Sequence, residues 1–126
     1  MKNESQDFVS EVSTNFKRGT TEMLLLAILT QQDRYVYELS KLLKEMSMGL
    51  FDIQGPSMYT VLYRMEAHGF VSTWTEPVGK KQRVYYHILP AGRAYLQQIT
   101  EAYHSISDGV SAVLAATIEK PEEVQE

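Results

Sequence analysis

Between residues 96 and 113 apolar side chains recur as Leu96, Ile99, Tyr103, Ile106, Val110 and Val113, a 3-4-3-4-3 spacing. A heptad seam of this kind belongs to a helix that packs along another helix. Begun at Pro90 and continued to Ile118, the helix would be about 40 Å long at about 1.5 Å per residue. The chain has 126 residues, enough for one small domain and accessory helices. One small domain cannot cover a helix of that length, so a second copy of the chain is the natural partner and a homodimer is expected.

Upstream of the seam the apolar pattern divides into short elements. Phe8, Val9, Val12 and Phe16 make one stripe on a helix beginning near Asn3 or Ser5. Phe8 and Val12 are expected to pack across the dimer region. Thr20 and Thr21 precede the run MLLLAIL, which reads as a mostly buried helix ending by Gln31 or Gln32. Leu39, Leu42, Leu43 and Met46 predict an amphipathic helix over residues 37–46, stopped by Gly49. In GPSMYTVLYRMEAHG, Pro56 sits in the first turn and Gly69 follows the last. One face of that helix carries Met58, Val61, Leu62 and Met65; the other carries Ser57, Tyr59, Thr60, Tyr63, Arg64 and Ala67.

Residues 70–76 and 83–89 are rich in β-branched and aromatic side chains and flank PVGKKQ, which predicts a β-hairpin with a basic tip. Strand alternation makes Trp74 a half-buried packing residue. Four helices, a hairpin and a long helix, with no βαβ unit, is the order of a winged helix-turn-helix. The fold class is therefore mainly α with a small β-hairpin, extended by an N-terminal helix and a long C-terminal dimerisation helix. Residues 1–16 are assigned to the N-terminal helix, 17–89 to the winged domain, and 90–126 to the dimerisation helix and its tail.

The formal charge of −4 argues at first against nucleic acid, because phosphate binding is driven by Lys and Arg. Its distribution reverses that inference. Residues 1–16 carry one Lys against three acids and residues 94–126 one Lys against six, whereas residues 17–93 hold ten Lys or Arg against seven Asp or Glu. The basic excess lies in the winged domain.

Several classes are excluded. Without cysteine there is no disulfide framework, no thiolate nucleophile and no Cys-based zinc site. His68, His87 and His104 show no metal-ligand spacing, and no catalytic or phosphate-loop motif is present, so no enzyme, metal or cofactor is expected. The segment MKNESQDFVSEV lacks the apolar core of a signal peptide, and the longest apolar run, residues 23–29, is too short to span a bilayer. A cytoplasmic chain without a membrane partner is expected.

RGTTEMLLLAIL at 18–29, YEL at 37–39, PSMYTVLYRMEAHGFV at 56–71 and RVYYHILPAGRAYL at 83–96 together resemble the PadR family of bacterial transcriptional regulators. The length is similar to that of the short branch with a single C-terminal dimerisation helix. Two departures concern local geometry: Val36 stands where Gly is common before YEL, and Gly55-Pro56 replaces a Ser-Pro pair, leaving Gln54 or Gly55 to cap the helix. The resemblance implies a repressor that binds double-stranded DNA at an inverted repeat, with Tyr37 as a phosphate contact. For some relatives it also implies release by a small hydrophobic or phenolic effector.

Chemistry assigns the remaining contacts. A recognition helix buries one face and offers polar and aromatic side chains on the other. Ser57 and Thr60 suit phosphate or base hydrogen bonds, Tyr59 and Tyr63 suit phosphate, sugar or thymine methyl, and Arg64 suits a phosphate clamp. Lys80, Lys81 and Arg83 would supply backbone or minor-groove contacts from the wing. Tyrosines at helical spacing are as often core as surface, and a basic hairpin tip is usually only solvated. Position behind a helix-turn-helix favours DNA for both. The competing reading is a winged-helix protein-interaction module without specific DNA binding.

Overall fold

The computed structural model describes residues 4–119. Asn3 and the tail from residue 120 lie outside them. The elements are α1 (Glu4–Arg18), α2 (Thr21–Leu29), β1 (Arg34–Tyr35), α3 (Val36–Met46), α4 (Pro56–Ala67), β2 (Val71–Val78), β3 (Lys81–Ile88) and α5 (Pro90–Ala116). The chain divides into two compact units, Met1–Leu96 and Gln97–Glu126, the second holding the remainder of α5.

The first unit is built on α2. Leu25, Leu26, Ile28 and Leu29 are buried, and around them gather Leu39 and Leu43 of α3, Met58, Leu62 and Met65 of α4, and Val71, Tyr86 and Ile88 of the sheet. Burying one such side chain contributes roughly 1.5–3 kcal/mol, so these contacts dominate the fold. Leu42 and Val61 are half-buried at the margin, whereas Met46, expected on the same stripe, is exposed.

Helix ends follow local chemistry. Gly55 caps α4 by its backbone: its carbonyl accepts from the Met58 and Tyr59 amides, and no side chain caps the helix. At the other end Gly69 takes a left-handed φ of 74°. That turn lets the Phe70 amide donate to the Met65 carbonyl at 3.0 Å, a Schellman closure that sends the chain directly into β2. α3 starts one residue earlier than its periodicity suggests, because Glu38 accepts from the Tyr35 amide at 3.3 Å.

The sheet differs from expectation in two ways. It has three antiparallel strands in the order β1-β3-β2, and the two-residue β1 pairs Arg34 with Tyr86 and Tyr35 with Tyr85. The hairpin is also longer than predicted, since Pro77 pairs with Gln82 and Val78 with Lys81. Gly79, with a φ of 62°, permits the tight turn. Pro77 is tolerated because β2 is an edge strand, where a missing amide donor matters least.

A close contact ties the end of the hairpin to α5. The Leu89 amide donates to the Phe70 carbonyl at 2.9 Å, and a Cβ at Gly92 would lie 2.2 Å from that same oxygen. Phe70 and Tyr95 stack above it with ring centroids 4.4 Å apart. Gly92→Ala is therefore expected to destabilise the domain by about 2 kcal/mol, since the obstructing atom is backbone. Thermal denaturation followed by circular dichroism checks this, and an unchanged midpoint would refute the close packing.

Candidate nucleic-acid interface

The buried stripe of α4 leaves its opposite face free. Tyr59 is 57% and Tyr63 75% exposed, and Ser57 and Thr60 are also exposed. The Thr60 hydroxyl donates to the Pro56 carbonyl at 2.9 Å, so its oxygen lone pairs stay available to an incoming donor. Arg64 is committed differently: its guanidinium is hydrogen-bonded to Glu22 of α2, tying α4 to α2.

Beside α4 an open cleft of about 710 Å³ runs between α3, the start of α4 and the hairpin. Tyr37, Lys41 and Lys44 line it from α3, Gln54, Gly55 and Tyr59 from the start of α4, and Lys81 and Arg83 from β3. Four residues nominated from sequence, Tyr37, Tyr59, Lys81 and Arg83, thus meet around one opening. Lys80 is exposed at the turn, outside the lining. A second hollow of about 390 Å³, lined by Tyr59, Thr60, Tyr63, Glu66 and Tyr86, continues along α4. Burial pushes the Tyr86 phenol up, and the nearby Glu66 carboxylate adds to the shift, so this floor residue stays neutral.

Lys41 and Lys44 were not nominated from sequence. Their signal was available, because they lie opposite the buried Leu39 and Leu43 on the helix that crosses the backbone in a helix-turn-helix. Lys44 lies 3.6 Å from Asp52.

The outer hairpin has no core of its own; from Thr73 to Val78 every residue of β2 is exposed. Its base is held by Asp33, which accepts from Trp74 Nε1 and from His87 Nδ1, each at 2.8 Å. Trp74, 45% exposed, is a clamp residue more than a packing one. It stacks on Tyr85 with centroids 4.3 Å apart, Tyr85 meets Tyr35 edge-on at 5.6 Å, and the Arg83 guanidinium lies 4.3 Å over the Tyr35 ring.

The nominated dimer residues divide between the units. Leu96 packs against the core of the first unit. Ile99 is half-buried, while Tyr103, Ile106, Val110 and Val113 are exposed. On α1, Phe8 is exposed and Val12 half-exposed. Among the described residues no helix is long and apolar enough to cross a membrane.

Comparison with known proteins bears on family and fold. The family model for the transcriptional regulator PadR-like family matches residues 25–98. The chain belongs to the PadR-like family of transcriptional regulators. A PadR family transcriptional regulator from Eggerthella lenta is 30% identical, with a TM-score of 0.77 over 86% of this chain and 93% of its own. A transcriptional regulator from Clostridium thermocellum is 26% identical, with a TM-score of 0.74 over 78% and 96%. A PadR-like regulator from Bacillus cereus is 25% identical, with a TM-score of 0.70 over 86% and 99%. As a PadR-like protein the chain is a DNA-binding transcriptional regulator and not an enzyme.

At the root of the PadR-like wing, Asp33 has a shifted titration. Burial opposes ionisation of Asp33, but the hydrogen bonds from His87 and Trp74 outweigh it and hold the carboxyl below the ordinary aspartate range. A depressed folded pKa adds stability above the unfolded value, about 3.9, and loses it as pH falls through the folded value. Wild type and Asp33→Ala should differ by about 1 kcal/mol at neutral pH, a figure reduced for solvent screening. Urea denaturation at stepped pH should show the gap closing below about pH 4; a gap unchanged at lower pH would contradict the assignment.

Proposed function

We propose that this PadR-like chain is a homodimeric repressor. Each subunit lays α4 in a major groove of an inverted-repeat operator and sets the β2–β3 wing along the flanking backbone. The observation that carries the reading is the continuous surface formed by the exposed α4 tyrosines and the basic cleft, behind a helix whose other face is core. Tyr37, Lys81 and Arg83 meet phosphate from either side of the cleft, with Lys80 beyond them at the wing tip. Ser57, Tyr59, Thr60 and Tyr63 face the groove. Arg64 serves by fixing α4 through Glu22, and reaches phosphate only if it leaves that partner.

Few cations per subunit are available, so affinity depends on two subunits engaging together. In a gel shift on the DNA upstream of its own gene, log affinity should fall linearly with log salt. Lys80→Glu with Lys81→Glu should weaken retention by at least about tenfold in a folded protein, because each Lys lost removes a counterion-releasing contact. Affinity indifferent to both changes would favour the protein-interaction module.

Dimerisation rests on the exposed seam of α5. Ile106, Val110 and Val113 are each more than half exposed, a stripe that a second copy of the chain would cover. Leu96, Ile99 and Tyr103 begin that seam, and Phe8 and Val12 of α1 offer a further apolar contribution. Ile99→Glu with Ile106→Glu should convert the dimer to monomer in sedimentation velocity. A persistent dimer would refute the heptad assignment.

A further inference from the structure

We propose that Asp33 is a positioning residue for DNA binding, aiming the wing and its Arg83 through a ladder of aromatic rings; the inference rests on the DNA-binding reading above. Beyond the root β2 is exposed throughout, and on β3 only Arg83 and Tyr85 are half-buried, so the apolar core fixes where the hairpin starts and not where it points. Asp33 supplies the missing constraint. It lies between α2 and β1, and its two carboxylate oxygens engage different strands, Oδ2 the indole of Trp74 on β2 and Oδ1 the ring of His87 on β3.

From that anchor the contacts run in one direction. Trp74 and Tyr85 are cross-strand partners and stack nearly parallel, with 8° between their planes. Tyr85 and Tyr35 are cross-strand partners on the next pair and meet edge to face. Tyr35 then carries the Arg83 guanidinium on its face and stacks beside Tyr37 at 6.3 Å. The ladder therefore begins at a carboxylate outside the cleft and ends at two side chains that line it. Asp33 does not line the cleft itself, so it acts on the lining residues at second hand, through the rings.

The experiment is a double-mutant cycle on duplex DNA from upstream of the gene. Asp33→Ala should lower affinity about fivefold and Arg83→Ala by a similar or larger factor, and the double variant should bind no worse than Arg83→Ala alone. Asp33→Asn, which keeps an acceptor for the indole, should recover part of the loss. Trp74 is the only tryptophan, so its emission reads the clamp directly. Acrylamide quenching should rise in Asp33→Ala while helical circular dichroism is unchanged. If Asp33→Ala does not fold, Trp74→Phe keeps a ring on Tyr85 and removes the N–H, and should show the same non-additivity with Arg83→Ala.

Losses that multiply in the double variant, or an Asp33→Ala protein of wild-type affinity, overturn the positioning role and leave the DNA-binding reading intact. Wild-type protein that retains no upstream DNA at low salt overturns both.

Discussion

The burial of α2 is the constraint from which the remaining geometry follows. Leu25, Leu26, Ile28 and Leu29 occupy the centre of the first unit, and α3, α4 and β3 each have one apolar face to turn toward them. A helix with a single apolar stripe must present its other side to solvent. For α3 that side carries Lys41 and Lys44, and for α4 it carries Tyr59 and Tyr63. The surface proposed to meet DNA is thus a by-product of how the core is satisfied, and its shape is set by the angle at which two helices rest on a third.

Elements with a repeating pattern were legible in the chain. α4 was readable at both ends because Pro56 opens it and Gly69 follows its C-cap, and its buried Met58, Leu62 and Met65 recur at helical spacing. The PadR resemblance, carried by four motifs in order, anticipated the family that the comparison establishes. β1 was not legible, since two residues are too few to show a period and Arg34 and Tyr35 become a strand only because β3 is beside them. The hairpin turn was placed too broadly for a related reason: PVGKKQ is rich in turn formers, yet pairing across Pro77 and Gln82 carries the strands through most of it.

Side-chain partners across long separations were the least visible part of the site. Arg64 has the position and chemistry of a phosphate clamp, and its pairing with Glu22, 42 residues away, is a property of packing α4 on α2. Asp33 looks in sequence like any polar residue in a connecting loop. Its role exists only where Trp74 and His87 arrive on the same face of the sheet. Charge was intermediate: the total was misleading, the regional count informative, and the grouping of Lys41, Lys44, Lys81 and Arg83 around one cleft became visible only with the fold.

The Asp33 clamp joins residues 41 and 54 positions apart, whereas the Phe70 carbonyl that meets Leu89 closes a much shorter stretch of chain. Loop-closure entropy rises with that separation, and a polar contact on the surface offers little to offset it until the strands are already paired. On folding, the direction of the wing should be among the last features acquired. By the same reasoning it is among the first to open in local fluctuation, ahead of the helices that rest on α2. The wing, proposed to lie along the flanking backbone, is thus energetically separable from α4, proposed to read the groove.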